Sequence, residues 1–120
     1  MTVAIDPERA FYRERLADPS LLDGALEFKD GEHITLCVPV GGTRRGGYIP
    51  LSTLNACRRA ARLLTDREGF PNLRIVKSTD REVCHNVAWG DPAPGVKASD
   101  LDRGRFYGYS EQAIAKNGTE

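Results

Sequence analysis

The stretch from His33 to Leu64 constrains the fold more than any other part of the chain, because two different periodicities follow each other within it. From His33 to Val40, apolar side chains occupy alternate positions, which is typical of a β-strand with one buried face. From Leu54 to Leu64 they recur every three or four positions, as in an amphipathic helix. A strand and a helix this close in the sequence predict a mixed α+β fold.

The predicted helix has recognisable ends and two distinct faces. Ser52 or Thr53 can cap its start, since either side chain accepts a hydrogen bond from a free N–H group, and Gly69 before Phe70-Pro71 is a typical stop. With about 100° between residues, the apolar arc consists of Leu54, Cys57, Ala60, Ala61 and Leu64. The opposite arc carries Asn55, Arg58, Arg59, Arg62 and Asp66. We expect the first arc in the core and an arginine stripe in solvent.

Turn and cap signals predict the rest of the first half of the chain. Asp6-Pro7-Glu8 predicts the start of a helix that runs to about Ala17. Asp30-Gly31 lies between two alternating runs and predicts a hairpin that joins the first two strands. If the turn at 41–47 closes a second hairpin, the third strand, near Tyr48, pairs with the second.

The second half of the chain adds two strands, expected at 73–77 and 83–89, and a final helix that begins near Ser110. The predicted order is therefore helix, three strands, helix, two strands, helix. We predict one α+β domain over residues 1–120, with a mainly antiparallel sheet of about five strands and helices on one face.

Composition narrows the class of protein. The 120 residues suffice for one domain with its own core. No apolar run approaches the roughly 18 residues that a membrane span needs, and the first residues lack the basic and apolar regions of a signal peptide. Three cysteines, an odd number without a CxxC pair, fit a reducing compartment. We expect a cytoplasmic protein that does not enter a membrane.

Charge is unevenly distributed, although the net charge is zero. Between Thr43 and Arg74, seven arginines stand against two acidic residues, a local balance of +5 that leaves −5 for the rest. The zero total removes the whole-chain argument for nucleic acid, and the lysine cluster of a double-stranded-RNA-binding domain is missing from 51–55. A positive surface of this size can still attract a protein or an anionic ligand, and nucleic acid stays a weakly supported alternative among such partners.

The loop GGTRRGG at 41–47 is the sharpest candidate site. Each arginine offers a planar donor fork that matches a carboxylate or phosphate, and we expect both at a flexible exposed tip. The loop is neither a Walker loop nor a dinucleotide fingerprint, because GxxxxGK[ST] and GxGxxG are absent. A solvated hairpin loop is the structural alternative. The predicted residues for binding an anion or partner are Arg44, Arg45, Gly46, Gly47, Arg58, Arg59 and Arg62.

Other reactive residues form no recognisable catalytic or metal site. Cys84 and His85 are adjacent in a predicted strand, so their side chains point to opposite faces and cannot act as a pair. The candidate zinc ligands are His33, Cys37, Cys57, Cys84 and His85. Four of them would have to converge without a spacing motif. We interpret the cysteines as buried and structural. We predict no metal and no cofactor, and we assign no residue a catalytic role.

Three segments carry a likeness to other proteins: CVPVGGTRRGGY at 37–48, GFPNLR at 69–74 and GRFYGYSEQAI at 104–114. With these segments the chain resembles a family of short actinobacterial proteins of unknown function, over most of its length. The resemblance implies no activity, and it agrees with a cytoplasmic location.

Three hypotheses about function follow. The leading one is a small non-enzymatic binding or regulatory protein that docks an anionic or protein partner through the arginine-rich loop and helix face. The main alternative is an enzyme acting on a phosphorylated or acylated small molecule, with the GGTRRGG loop as anion cradle and Tyr48, His33 or His85 near the chemistry. The third is a structural partner in a larger complex that uses the aromatic residues at 106–109. Enzymatic activity, ligand identity and oligomeric state are left open.

Overall fold

The computed structural model describes residues 6–80 and 83–117. Its elements, in chain order, are α1 (Asp6–Arg15), a 3-10 helix (Pro19–Gly24), β1 (Leu26–Asp30), β2 (His33–Cys37), β3 (Gly46–Leu51), α2 (Leu54–Leu64), β4 (Arg74–Val76), β5 (His85–Gly90), α3 (Asp100–Phe106) and α4 (Glu111–Asn117). The α+β class with five strands, all antiparallel to their neighbours, is confirmed. The C-terminal region holds two short helices where the predicted order had one.

The strands form two sheets rather than one. β1 and β2 make the predicted hairpin, with Asp30 opposite His33 and Gly31 at a φ of 62° in the turn. The second sheet has the order β3-β5-β4. The expected meander, with β3 beside β2 in a single sheet, is therefore wrong, because β3 pairs with β5 instead.

The backbone after β2 explains why its ladder does not continue to β3. The Val38 carbonyl accepts a hydrogen bond from the Trp89 indole at 3.0 Å. Pro39 has no N–H to donate, and the Val40 N–H donates to the Gly69 carbonyl at 2.9 Å. These three positions of the backbone are therefore not available to a neighbouring strand, because one donor is absent and the other two groups bond to more distant parts of the chain.

The β1-β2 hairpin separates two hydrophobic clusters. Phe28 and Cys37 face the larger cluster, which also contains the apolar side of α2 and the inner face of the three-stranded sheet. Leu36 and Val38 face the smaller one, where Leu16 and Leu22 pack from the N-terminal region. Both faces of β2 are thus covered, whereas its alternating sequence predicted one buried face.

Helix α2 begins where the sequence predicted and ends earlier. Thr53 is the N-cap, and its side chain accepts a hydrogen bond from the Ala56 N–H at 3.1 Å. Its fully buried residues are Ala56, Cys57, Ala60 and Leu64. The helix ends at Leu64, before the predicted stop at Gly69, because Thr65 leaves the helical conformation and Asp66 takes a φ of 62°. None of the described helices is long and apolar enough to span a bilayer.

The sequence left two candidate caps for α2, and the structure assigns the role to Thr53. We expect Thr53→Ala to lower the free energy of unfolding by about 1 kcal/mol, since it leaves an N–H of the first turn without an acceptor. Ser52→Ala is the matched control and should change that free energy by less than about 0.5 kcal/mol. Urea unfolding followed by circular dichroism measures both, and an equal loss in the two variants would contradict the assignment.

Candidate functional site

Arg44 lies inside the protein, so the expectation of two exposed arginines at a flexible tip is wrong for this residue. Only 4% of its surface is accessible. Its backbone N–H donates to the Gly41 carbonyl at 2.8 Å, which closes a tight turn and directs the side chain inward. The side chain passes between two glycines: a Cβ on Gly47 would lie 2.6 Å from the Arg44 Nη2, and a Cβ on Gly108 would lie 2.5 Å from the Arg44 Cβ.

The guanidinium of Arg44 is bound to carbonyl groups and to no described carboxylate. Nη1 donates to the Tyr107 carbonyl at 2.9 Å, and Nη2 lies 3.4 Å from the Val38 carbonyl. Nε is buried and has no acceptor in the described part of the chain. Burial lowers the pKa of the Arg44 guanidinium, while the phenols of Tyr12, Tyr109 and Tyr107 oppose that shift. The group stays charged, because the arginine guanidinium keeps its proton in proteins.

All four tyrosines of the chain gather around this cation. The Arg44 Cζ lies 5.7 Å from the centre of the Tyr12 ring and 5.9 Å from that of Tyr107. The rings of Tyr48 and Tyr107 are 5.9 Å apart, and those of Tyr107 and Tyr109 are 6.4 Å apart. These distances suit cation–π and offset ring contacts. The result is an aromatic wall with one buried positive charge.

Backbone pairing at the end of α1 brings the tyrosines together. Leu16 forms a bridge with Tyr109, and the Ser110 N–H donates to the Arg15 carbonyl at 2.8 Å. The Ala17 N–H donates to the Gly108 carbonyl, also at 2.8 Å. The segment between α3 and α4 is therefore hydrogen-bonded to the end of α1, and this places Tyr107 and Tyr109 beside Arg44.

Two cavities share these aromatic walls and lie next to each other. The first has a volume of about 260 Å³ and contains Arg44, Tyr12 and Glu8. The second has a volume of about 280 Å³ and is also lined by Arg15, Asp100, Arg103 and Ile114. Both are lined by Phe11, Tyr48, Tyr107 and Tyr109. We call this space the tyrosine cleft.

The groups in the cleft are mostly hydrogen-bond donors at neutral pH. Burial raises the pKa of Tyr12 to about 12 and also raises the pKa values of Tyr107 and Tyr109, so all three phenols keep their protons. The exceptions are two carboxyl groups, that of Glu8 at the first cavity and that of Asp100 at the second. The Oε1 of Glu8 accepts a hydrogen bond from the Leu36 N–H at 3.3 Å, while burial raises the pKa of this carboxyl group. No described residue forms an ion pair with Glu8.

The other predicted binding residues occupy different environments. Arg45 is exposed and pairs with Asp91, with Nη2 and Oδ2 2.9 Å apart. Gly46 and Gly47 belong to β3 and lie opposite Gly90 and Trp89, rather than in a loop.

On α2, Arg59 pairs with Asp30 at 2.6 Å and lies over the Phe28 ring. Arg58 and Arg62 are exposed, and within the described ranges neither has an ion-pair partner. The seven predicted residues are thus divided between the interior, the edge of the sheet and the outer face of α2.

The reactive residues considered in the sequence lie away from the cleft, except for Tyr48. His33 is exposed at the start of β2, and the Nδ1 of His85 accepts a hydrogen bond from the Ser78 N–H at 2.9 Å. Cys37 and Cys57 are buried as expected, but Cys84 is exposed, so the structural interpretation is wrong for that cysteine. Across residues 6–80 and 83–117, no three His, Cys, Asp or Glu side chains are placed to hold a metal ion.

Sequence reasoning missed Glu8, Tyr12, Tyr107 and Tyr109 as site residues. The aromatic residues at 106–109 were noted in the sequence, but they were interpreted as a surface for contact with a partner protein. One signal was available in the sequence. Glycine pairs flank Arg44, and Gly108 lies between two tyrosines. Glycines at such positions can indicate that a large side chain packs against them.

Comparison with known proteins gives one family. Its model matches residues 3–120 of the chain. The chain belongs to the DUF6302 family. That family is described as one of unknown function, so membership confirms the resemblance to a domain of unknown function and supplies no activity. No curated protein and no solved structure matches the sequence at a significant level.

The passage of Arg44 between glycines can be tested by filling the space. We expect Gly108→Ala to lower the free energy of unfolding by about 2 kcal/mol or more, because its φ of 79° disfavours alanine and the new methyl group would overlap Arg44. Gly95→Ala is the control, since nothing lies within 4 Å of its added Cβ, and it should cost less than about 0.5 kcal/mol. Comparable urea midpoints for the two variants would show that Arg44 does not need this space.

Proposed function

We propose that this DUF6302 protein binds a small anionic molecule in the tyrosine cleft, with Arg44 as the cation that receives it. The observation that carries the proposal is the buried guanidinium without a described carboxylate partner and with an unused Nε–H donor. Arginine is rarely buried without a counter-charge. A buried donor without an acceptor costs about 1–3 kcal/mol, and an anionic group bound beside the guanidinium would offset that cost by neutralising the buried charge.

The chemistry and size of the cleft favour a small molecule. Guanidinium and phenol donors together suit a carboxylate or a phosphate group, because charge-assisted hydrogen bonds are the stronger ones. Each cavity lies just below the roughly 300–1,000 Å³ that is usual for ligand pockets. Rings of tyrosine and Phe11 on both sides favour a planar or apolar body attached to the anionic group.

Binding without catalysis is the simpler version of this proposal. The enzyme alternative, with a phosphorylated or acylated small molecule as substrate, would use the same cleft and would have Tyr48 as the nearest of the reactive residues considered above. Arg44 then takes the role of anion cradle that was predicted for the whole GGTRRGG loop.

A second candidate function rests on the outer face of α2. Arg58 and Arg62 lie one helical turn apart, both exposed and both without an ion-pair partner among the described residues. Such a pair supports docking of an acidic protein or another polyanion, at a site separate from the cleft. The leading hypothesis from the sequence combined the arginine-rich loop with the arginine face of the helix. Only the helix face is kept in this second candidate function, because Arg44 of the loop is buried.

The compartment and origin are also proposals. We propose the cytoplasm, because Cys37, Cys57 and Cys84 are free thiols and free thiols persist in reducing compartments. An actinobacterial origin is proposed from the resemblance of the sequence alone.

Calorimetric titration with 3-phenylpropionate and phenyl phosphate tests the main proposal. The protein should bind at least one of these probes, and Arg44→Lys should weaken that binding roughly tenfold or more, since lysine lacks the planar donor fork. Tyr48→Phe provides a second variant that should fold normally, because Tyr48 is 46% exposed, and it should bind the probe more weakly. Circular dichroism confirms folding of each variant.

The double variant Arg58→Gln/Arg62→Gln is the matched control. It should leave the affinity for both probes unchanged, and under the second candidate function it should elute earlier from heparin. Absence of binding of either probe by the unaltered protein would contradict the main proposal, as would an equal loss of affinity in the control. Unchanged retention on heparin would contradict the second.

A further inference from the structure

The tyrosine cleft contains two opposite charges that do not pair with each other. Arg44 and Glu8 both line the 260 Å³ cavity, and no salt bridge between them is present in the described part of the chain. We propose that the ligand is a free α-amino acid or a closely similar zwitterion, an inference that rests on the proposed function and names its ligand class. Its carboxylate would contact Arg44, and its ammonium group would contact Glu8.

Glu8 is held in place for such a contact. The Leu36 N–H donates to Oε1 and fixes the carboxyl group at the wall of the cavity. Burial without a cation disfavours the charged form of a carboxylate, and an ammonium group would reverse that effect.

A zwitterion can pair with both Arg44 and Glu8, whereas a simple ion can pair with only one of them. A plain carboxylate would place its apolar end against the uncompensated Glu8, and a plain amine would meet the positive charge of Arg44. A molecule with both groups on one carbon would place an anion at the buried Arg44 and a cation at the partly buried Glu8. An unpaired charge becomes costly as it is removed from water, so the two contacts should reinforce each other.

The second cavity would receive the side chain of the amino acid. It shares its aromatic walls with the first cavity and adds Ala113 and Ile114, together with the charged residues Arg15, Asp100 and Arg103. Arg103 donates to the carbonyls of Gly95 and Val96, at 3.2 and 2.8 Å. Because most of the lining is aromatic or aliphatic, an apolar or aromatic side chain would contact most of this cavity.

The test compares three probes of the same shape: L-phenylalanine, 3-phenylpropionate, which lacks the amine, and 2-phenylethylamine, which lacks the carboxylate. Titration calorimetry should show L-phenylalanine binding roughly tenfold or more tightly than either of the others. In Glu8→Gln, whose amide oxygen can still accept the Leu36 N–H, this preference over 3-phenylpropionate should disappear. Glu14→Gln, on an exposed position of the same helix, should preserve it.

The outcomes separate this inference from the function on which it rests. If 3-phenylpropionate or phenyl phosphate binds as tightly as L-phenylalanine, the zwitterion is wrong and the anion site stands. Tightest binding of 2-phenylethylamine, or an unchanged preference in Glu8→Gln, also overturns the zwitterion. If no probe with an anionic group binds, both proposals fail. Should Glu8→Gln not fold, the three probes on the unaltered protein still decide.

Discussion

The burial of one guanidinium group organises this protein. Arg44 joins three segments that are distant in sequence: the extended chain after β2 through the Val38 carbonyl, the segment after α3 through the Tyr107 carbonyl, and β3 through its contact with Gly47. Taking such a charge out of water costs several kcal/mol. Carbonyl hydrogen bonds and aromatic faces offset part of that cost, and the Nε–H remains a buried donor without an acceptor among the described residues.

Local structure was predictable from the sequence because it depends on neighbouring residues. The period of β2, the Asp30-Gly31 turn, the apolar arc of α2 and its N-cap all follow from side chains a few positions apart. Strand pairing was not, since it depends on which distant group uses each backbone donor and acceptor. The indole of Trp89 reaches the Val38 carbonyl across 51 positions, and no local pattern in the region of β2 indicates that contact.

The candidate site was located in part and given the wrong geometry. The GGTRRGG loop does contain the central residue, but we interpreted its glycines as sources of flexibility. In the structure Gly47 instead provides space for a side chain, together with Gly108. Arg44 and Tyr107 lie 63 positions apart, so the inward direction of Arg44 could not be derived from its surroundings. Arg58 and Arg62, by contrast, lie exposed as the helical period predicted.

The most direct measurement of the central claim is nitrogen-15 NMR of the arginine side chains, with Arg44→Lys used to assign the Arg44 Nε–H signal. A buried, unpaired donor should exchange with water far more slowly than the Nε–H of exposed Arg62, and its signal should shift on saturation with L-phenylalanine. A signal that exchanges as fast as that of Arg62, or that stays in place at saturation, would contradict the account of Arg44 as the buried receptor for an anion.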